Sequence, residues 1–142
     1  MTNVEFVRKW FDEVWNKQNE KAIYEMFASN GIAHGLMDEE GKEIVGPEKF
    51  SIFFKKFIQS FPDIHVSLED TVNEGEKIVS RCTVSFTHKG NSFRISDTKE
   101  VGPSGKKIEF TGMAMVIIRN GQIKEAWNNF DFLAMYMQMG VL

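Results

Sequence analysis

The pattern of hydrophobic and polar positions changes along the chain, from helical spacing to strict alternation. Helical spacing predicts a first helix that starts after Thr2 and ends near Lys17, and a shorter second helix after Asn19 that stops before residue 29. A third helix is predicted from Pro47 to Phe61, because its hydrophobic residues repeat on one face. The N-terminal part of the chain is therefore expected to be helical.

β-strands are predicted in the rest of the chain, where hydrophobic and polar residues alternate. The predicted strands are residues 64–68, 77–89, 106–119 and 122–131, and an extended segment is expected earlier, at residues 31–37. Asn120-Gly121 predicts a type I′ hairpin turn between the last two strands, because that turn needs a positive φ at both central residues. A short helical turn is expected after residue 131.

This order of elements predicts an α+β fold, with three N-terminal helices packed on one face of a mostly antiparallel sheet. No internal repeat or linker divides the sequence, so residues 1–142 are expected to form one domain. The 13 Phe and 8 Met residues suit a core that encloses an uneven apolar space, although a solid core would need the same residues.

Composition and charge exclude several classes of partner. The net charge of −3 and the scattered basic residues lack the positive patch of a nucleic-acid-binding protein. The N-terminus is charged and no stretch approaches the roughly 20 apolar residues of a membrane span, so neither a signal peptide nor a membrane is expected. Cys82 is the only cysteine, which excludes an intrachain disulfide. We therefore expect a cytoplasmic protein.

The acid at the end of the last predicted strand is the first candidate for chemistry. Asp131 lies between two phenylalanines in a segment that otherwise has the composition of a buried strand. If the strand is regular, Asp131 shares a face with Ile123, Glu125, Trp127 and Asn129, and this face is expected to line a partly polar pocket under the helices. The alternative is that Asp131 caps the helical turn that follows it.

Other candidate residues lie mostly outside this segment. His34 is a candidate catalytic partner of Asp131, or alternatively a hydrogen-bonded structural residue. Arg81 lies among apolar residues, so it is expected to pair with Glu125 or Asp131 or to contact a substrate. The candidate substrate contacts are Trp127, Arg81, Glu125, Asn129, Met113, Met115 and Phe11. His88 is expected at the surface, and the three histidines are too dispersed for a metal site.

Short motifs in a fixed order extend over nearly the whole chain. They include Phe61-Pro62-Asp63, Glu74-Gly75, Thr87-His88, Pro103-x-Gly105-Lys106, Gly121-x-Ile123, Glu125-x-Trp127-x-x-x-Asp131 and Gln138-x-Gly140. Each motif is short, but their order and spacing together are specific. On these motifs the chain resembles the SnoaL-like polyketide cyclases, also called ester cyclases.

The resemblance implies a cone-shaped α+β fold with a strongly curved sheet and an internal pocket, as in nuclear transport factor 2, ketosteroid isomerase and scytalone dehydratase. It implies no metal and no organic cofactor. The family reaction is an intramolecular aldol condensation that closes the last ring of an aromatic polyketide ester, and the acid that matches Asp131 is its general acid/base. Where these cyclases commonly carry a histidine, before the final hairpin, this chain has Met113-Ala114-Met115.

The resemblance leaves more than one function open, because the same cone serves different activities. The first hypothesis is an acid/base enzyme that acts on a small apolar carbonyl compound. The alternatives are a non-catalytic binder of a small hydrophobic ligand, an isomerase or dehydratase, and a protein-interaction module. A homodimer is expected, because a long sheet face and a methionine-rich C-terminus need to be covered.

Overall fold

The computed structural model describes all residues, 1–142. Its helices are α1 (Asn3–Trp10), which continues as a π-helical segment (Phe11–Asn16), α2 (Glu20–Met26), α3 (Gly46–Ser60) and α4 (Phe132–Met139). Its strands are β1 (Phe27–Met37), β2 (Glu43–Val45), β3 (His65–Glu74), β4 (Lys77–Thr87), β5 (Phe93–Ser96), β6 (Lys99–Val101), β7 (Lys107–Arg119) and β8 (Gln122–Phe130). None of the helices is long and apolar enough to cross a membrane.

Six strands form one sheet in the order β2-β1-β8-β7-β4-β3. Neighbouring strands are antiparallel except β1 and β8, which run parallel, and β5 and β6 form a separate hairpin. The segment formed by α1 and its π-helical continuation packs on β3, α3 packs on β1, and α4 packs on β7. The predicted α+β architecture, with helices on a mostly antiparallel sheet, is confirmed.

Local sequence explains where the helices start and which side they bury. Thr2 accepts a hydrogen bond from the backbone of Glu5, whose side chain accepts one from the backbone of Thr2, so the predicted capping box is present. In α3, the proline lies in the first turn and the buried face carries Phe50, Phe54 and Phe57. Burial of one such ring stabilises the fold by roughly 1.5–3 kcal/mol. The helices therefore supply most of the aromatic core.

The observed strands differ from the predicted ones where a strand is short, or where hydrogen bonds to a neighbouring strand rather than its own sequence pattern set its limits. β1 starts at Phe27, directly after α2, and so begins four residues before the extended segment predicted at residues 31–37. β2, β5 and β6 were not predicted, because strands of three or four residues are too short to display alternation. The predicted hairpin turn is present, since Asn120 and Gly121 have φ values of 54° and 72°.

His88 is buried, and its expected position at the surface was wrong. The ring is 0% exposed, lies edge-on to Phe61 at a centroid distance of 5.2 Å, and shares a hydrogen bond of 2.9 Å with the backbone oxygen of Asn91. A carbonyl oxygen only accepts, so Nε2 of His88 carries the proton. The residue anchors the loop after β4 to the core. The polar Lys89-Gly90 that follows gives no indication that His88 is buried.

A one-residue bulge in β8 determines which side chains face the helices. β7 pairs Ile118 with Ile123 but pairs Ile117 with Glu125, which leaves Lys124 as the extra residue. Because each residue of a strand faces the side opposite to its neighbour, the extra residue moves the following side chains to the other face. Ile123 therefore faces the helices, while Glu125 faces away from them.

Candidate functional site

A cavity of about 90 Å³ lies between the helices and the inner face of the sheet. Twenty of the 22 residues that line it are hydrophobic, and none of the 22 has an ionisable side chain in the physiological range. Aromatic rings from the helices, including Trp10, Phe11, Trp15 and Phe50, form one wall. This interior therefore favours a neutral, apolar guest over a charged one.

Ser80 and Asn128 are the two polar residues that line the cavity. In the sheet, Ser80 of β4 is opposite Ala114 of β7, and Ala114 is opposite Asn128 of β8, so the three lie in one row across the inner face. Ser80 is 1% exposed, and the amide nitrogen Nδ2 of Asn128 donates to the backbone oxygen of His34 at 2.9 Å. These two groups give the apolar wall its hydrogen-bonding capacity.

The sequence positions these two polar residues through strand alternation and one glycine. In β4, the buried residues are Ile78, Ser80, Cys82, Val84 and Phe86. Gly35 of β1 has a φ of +80°, and a Cβ atom there would overlap the backbone oxygen of Asn128. The absent side chain thus lets β1 approach β8 where Asn128 bonds to His34.

Asp131 lies in the chain between two residues that line the cavity, but it is not part of the lining. Its neighbours Phe130 and Phe132 are half-buried lining residues, whereas Asp131 itself is exposed. Its Oδ1 accepts a hydrogen bond of 3.0 Å from the backbone N–H of Ala134, so the side chain caps α4. The cap considered in the sequence analysis is therefore present, and the carboxylate lies in solvent rather than inside the cavity.

His34, Glu125 and Trp127 lie together on the outer face of the sheet. Nδ1 of His34 lies 2.7 Å from a carboxylate oxygen of Glu43, and Nε2 lies 2.6 Å from a carboxylate oxygen of Glu125. The His34 ring stacks on Trp127 with a centroid distance of 5.4 Å. Hydrogen bonds to Glu125, and then to Glu43, raise the pKa of His34 above its ordinary value of 6.5. Both ring nitrogens are engaged, so the imidazole is held in place by both neighbouring strands.

Of the remaining predicted residues, those in strands lie on the outer face of the sheet, and Phe11 lies in the π-helical segment after α1. Arg81 is exposed and pairs with Asp70 at 3.9 Å, not with Glu125 or Asp131. Met113 is 51% exposed, Met115 is half-buried, Asn129 is exposed, and none of them lines the cavity. Among the predicted site residues, Phe11 alone belongs to the lining.

The expected orientation of Glu125, Trp127 and Asn129 toward the helices was wrong. The prediction assigned them to the face of Ile123, but the bulge at Lys124 puts them on the opposite face. The residues that face the cavity are instead Ala126, Asn128 and Phe130. Asn128 was not predicted for this reason, and Ser80 was not predicted although the alternation of buried residues in β4 indicates it.

The side chains do not form a metal site or provide a thiolate nucleophile. No group of three or more His, Cys, Asp or Glu side chains has an arrangement that would hold a metal ion. Burial raises the pKa of the Cys82 thiol to about 12, so this residue is not a thiolate nucleophile. The polar groups of the lining are the hydroxyl of Ser80 and the amide of Asn128, and the carboxylate of Asp131 follows a lining residue in the chain.

Comparison with known proteins identifies the class. Residues 5–139 match the family model for SnoaL-like polyketide cyclases. The chain therefore belongs to the SnoaL-like polyketide cyclase family, as its motifs indicated. A search of curated protein sequences found no match.

Solved structures share the fold over nearly the whole chain. A proposed SnoaL-like polyketide cyclase from Jannaschia sp. CCS1 has a TM-score of 0.80 at 24% identity, covering 99% of this chain and 92% of that one. IdmH, a proposed polyketide cyclase from Streptomyces antibioticus, has a TM-score of 0.79 at 22% identity, covering 99% and 100%. A protein with a ketosteroid isomerase-like fold from Catenulispora acidiphila DSM 44928 has a TM-score of 0.76 at 17% identity, covering 99% and 96%. The fold is thus the predicted nuclear transport factor 2-like fold.

Proposed function

We propose that this protein is a cofactor-independent acid/base enzyme of the cyclase type, which acts on a small apolar carbonyl compound. The apolar part of the substrate occupies the cavity, and Asp131 is the general acid/base. The observation that carries the proposal is that both neighbours of Asp131, Phe130 and Phe132, line the cavity. A carbonyl group at the open end of a bound substrate would therefore lie near the carboxylate.

The carboxylate of Asp131 has the means to move a proton in both directions. One oxygen is fixed by the backbone of Ala134, and Oδ2 makes no hydrogen bond to the protein. Oδ2 takes the proton from the carbon next to one carbonyl, and the resulting enolate carbon bonds to the second carbonyl carbon. The alkoxide formed there takes the proton back from Asp131, so ring closure consumes and releases no other species.

The variant Asp131→Asn tests this proposal without removing the helix cap. Asparagine caps a helix about as well as aspartate, but it does not accept and return the proton. With heptane-2,6-dione, which closes by an aldol addition to a six-membered hydroxy ketone, turnover is expected to fall about 100- to 10,000-fold. Product is measured by chromatography, and the unfolding midpoint is expected to stay unchanged.

The control is Asp131→Ala, which removes the cap as well as the acid. It is expected to lose turnover and also about 1 kcal/mol of stability. If Asp131→Asn retains full turnover while Asp131→Ala is merely less stable, Asp131 is a cap only and the catalytic role is wrong.

A second candidate function is a binder that holds a small hydrophobic ligand without converting it. The observation that favours it is the lining itself, which has no group that exchanges protons near neutral pH. In that case a ligand recovered from the protein is chemically intact, and Asp131→Asn leaves its affinity unchanged. An isomerase or dehydratase on the same cone would instead return a rearranged or dehydrated product.

We also propose that two copies associate through the outer face of the sheet. Support comes from exposed or half-exposed apolar side chains on that face, with Met115 opposite Trp127 on adjacent strands and Met113 beside Arg81. An uncovered apolar sheet face favours association. Light scattering is expected to report twice the chain mass, and Met113→Glu is expected to lower it. A monomer at high micromolar concentration would refute this proposal.

A further inference from the structure

The volume of the cavity limits what it holds. At about 90 Å³ it is well below the roughly 300–1,000 Å³ of pockets for larger ligands. A dry apolar cavity of about 150 Å³ is large enough for benzene. At about 90 Å³ this cavity is smaller than that, so a single ring is the upper limit of what it holds, and a ring enters only when the half-buried rim residues move outward.

The lining also limits the charge of the guest. A carboxylate or ammonium group inside would find no ion partner, because the only polar lining residues are Ser80 and Asn128. An unpaired charge in an apolar interior is strongly unfavourable. The occupant is therefore a neutral molecule.

Asn128 presents a hydrogen-bond acceptor of known orientation. Its Nδ2 lies 2.9 Å from the backbone oxygen of His34, and a carbonyl oxygen only accepts hydrogen bonds, so the amide nitrogen must be on that side. Oδ1 makes no hydrogen bond within the protein and belongs to a residue that lines the cavity. It is available to a donor such as a ligand hydroxyl group.

Ser80 is a second, independent polar group in the same wall. The residue is 1% exposed and lines the cavity, and its hydroxyl group both donates and accepts hydrogen bonds. Ser80 and Asn128 are two strands apart, so their backbones are separated by about 10 Å, with the small Ala114 between them. A ring with a polar group at each end would span this distance through one hydrogen bond to each residue.

We infer that the cavity selects a neutral, one-ring compound that carries a hydroxyl group, bound by Oδ1 of Asn128, and a second polar oxygen, bound by the hydroxyl of Ser80. Cyclic hydroxy ketones are one class that has both groups, and an intramolecular aldol closure yields such a compound. The inference rests on the proposed function for its substrate class, but it concerns binding and requires no turnover.

Calorimetry with phenol, toluene and benzoate tests the inference. Phenol and toluene have the same shape and differ by a hydroxyl in place of a methyl group. Transfer from water into a purely apolar cavity favours toluene by about tenfold, whereas a hydrogen bond to Asn128 offsets this preference. We expect phenol to bind wild-type protein at least as tightly as toluene, and benzoate to bind at least tenfold more weakly than phenol.

The matched variant is Asn128→Leu, which keeps the side-chain shape but removes the acceptor together with the Nδ2 donor that bonds to the backbone oxygen of His34. It is expected to retain toluene binding and to lose about tenfold of its affinity for phenol relative to toluene. Ser80→Ala is expected to weaken 4-hydroxycyclohexanone about threefold or more and to leave toluene unchanged. Ser80→Ala removes only a hydroxyl group, so it provides the test if Asn128→Leu does not fold.

Several results would overturn the inference. They are a tenfold preference of the wild-type protein for toluene, equal binding of benzoate and phenol, the same phenol-to-toluene ratio in Asn128→Leu, or no binding of either ring at millimolar concentration. Failure of the proposed function is separate. If the binding series behaves as expected while Asp131→Asn keeps its turnover, the ligand class stands and the catalytic role of Asp131 does not.

Discussion

His34 links three strands through two charged contacts. Its ring joins Glu43 of β2 to Glu125 of β8, while its own backbone oxygen accepts a hydrogen bond from Asn128. Protonation strengthens both ion pairs, which is why the hydrogen bonds to Glu125 and Glu43 raise the pKa of His34. The residue that was predicted as a catalytic partner therefore has a structural setting on the outer face.

We predict that the contribution of His34 to stability is lost with rising pH. Because the folded-state pKa lies above the ordinary value of 6.5, the contribution is fully present below pH 6.5 while the glutamates are ionised, and it disappears as the pH passes the raised pKa. For a partly exposed cluster of this kind, about 1 kcal/mol or less is expected. NMR titration of the imidazole should give a midpoint above that of free histidine.

Glu125→Gln is the informative variant, because Glu125 makes the largest contribution to the raised pKa of His34. The imidazole midpoint should move down, and the stability difference from wild type should be larger at pH 6 than at pH 9. Glu48→Gln is the control, since it removes the same charge from an exposed position in α3. An unchanged midpoint in Glu125→Gln, or a midpoint that moves equally in both variants, would contradict the account of this cluster.

At the level of elements, the helices and the last hairpin were predictable from local sequence. The capping box at Thr2, the phenylalanine face of α3 and the Asn120-Gly121 turn each determine backbone conformation within a few residues. The short strands β2, β5 and β6 were not predictable, because their partners, rather than their own pattern, define them.

The candidate site was less predictable than the fold, and the bulge at Lys124 is the physical reason. A single extra residue in β8 exchanges the faces of all side chains after it, and nothing in the sequence marks the position. The alternation of Ile78, Ser80 and Cys82 in β4 did contain the information needed to find Ser80. Asn128, in contrast, could be assigned to the cavity only from the pairing of β8 with β7.

At the scale of the whole molecule, the sheet separates two surfaces with different chemistry. The inner surface forms the apolar cavity, with Ser80 and Asn128 as its polar groups. The outer surface carries the His34 cluster, Trp127 and Met113. Catalysis by Asp131 requires first that a small apolar ligand binds on the inner surface.

The three tryptophans of the chain report directly on this requirement. Trp10 and Trp15 line the cavity, whereas Trp127 lies on the outer face against His34. The decisive measurement is the NMR titration of the three indole N–H signals with phenol, with Trp127→Phe for assignment. The account predicts that the signals of Trp10 and Trp15 shift together with one dissociation constant while that of Trp127 stays in place. A shift of Trp127 alone would move the binding site to the outer face and contradict the account.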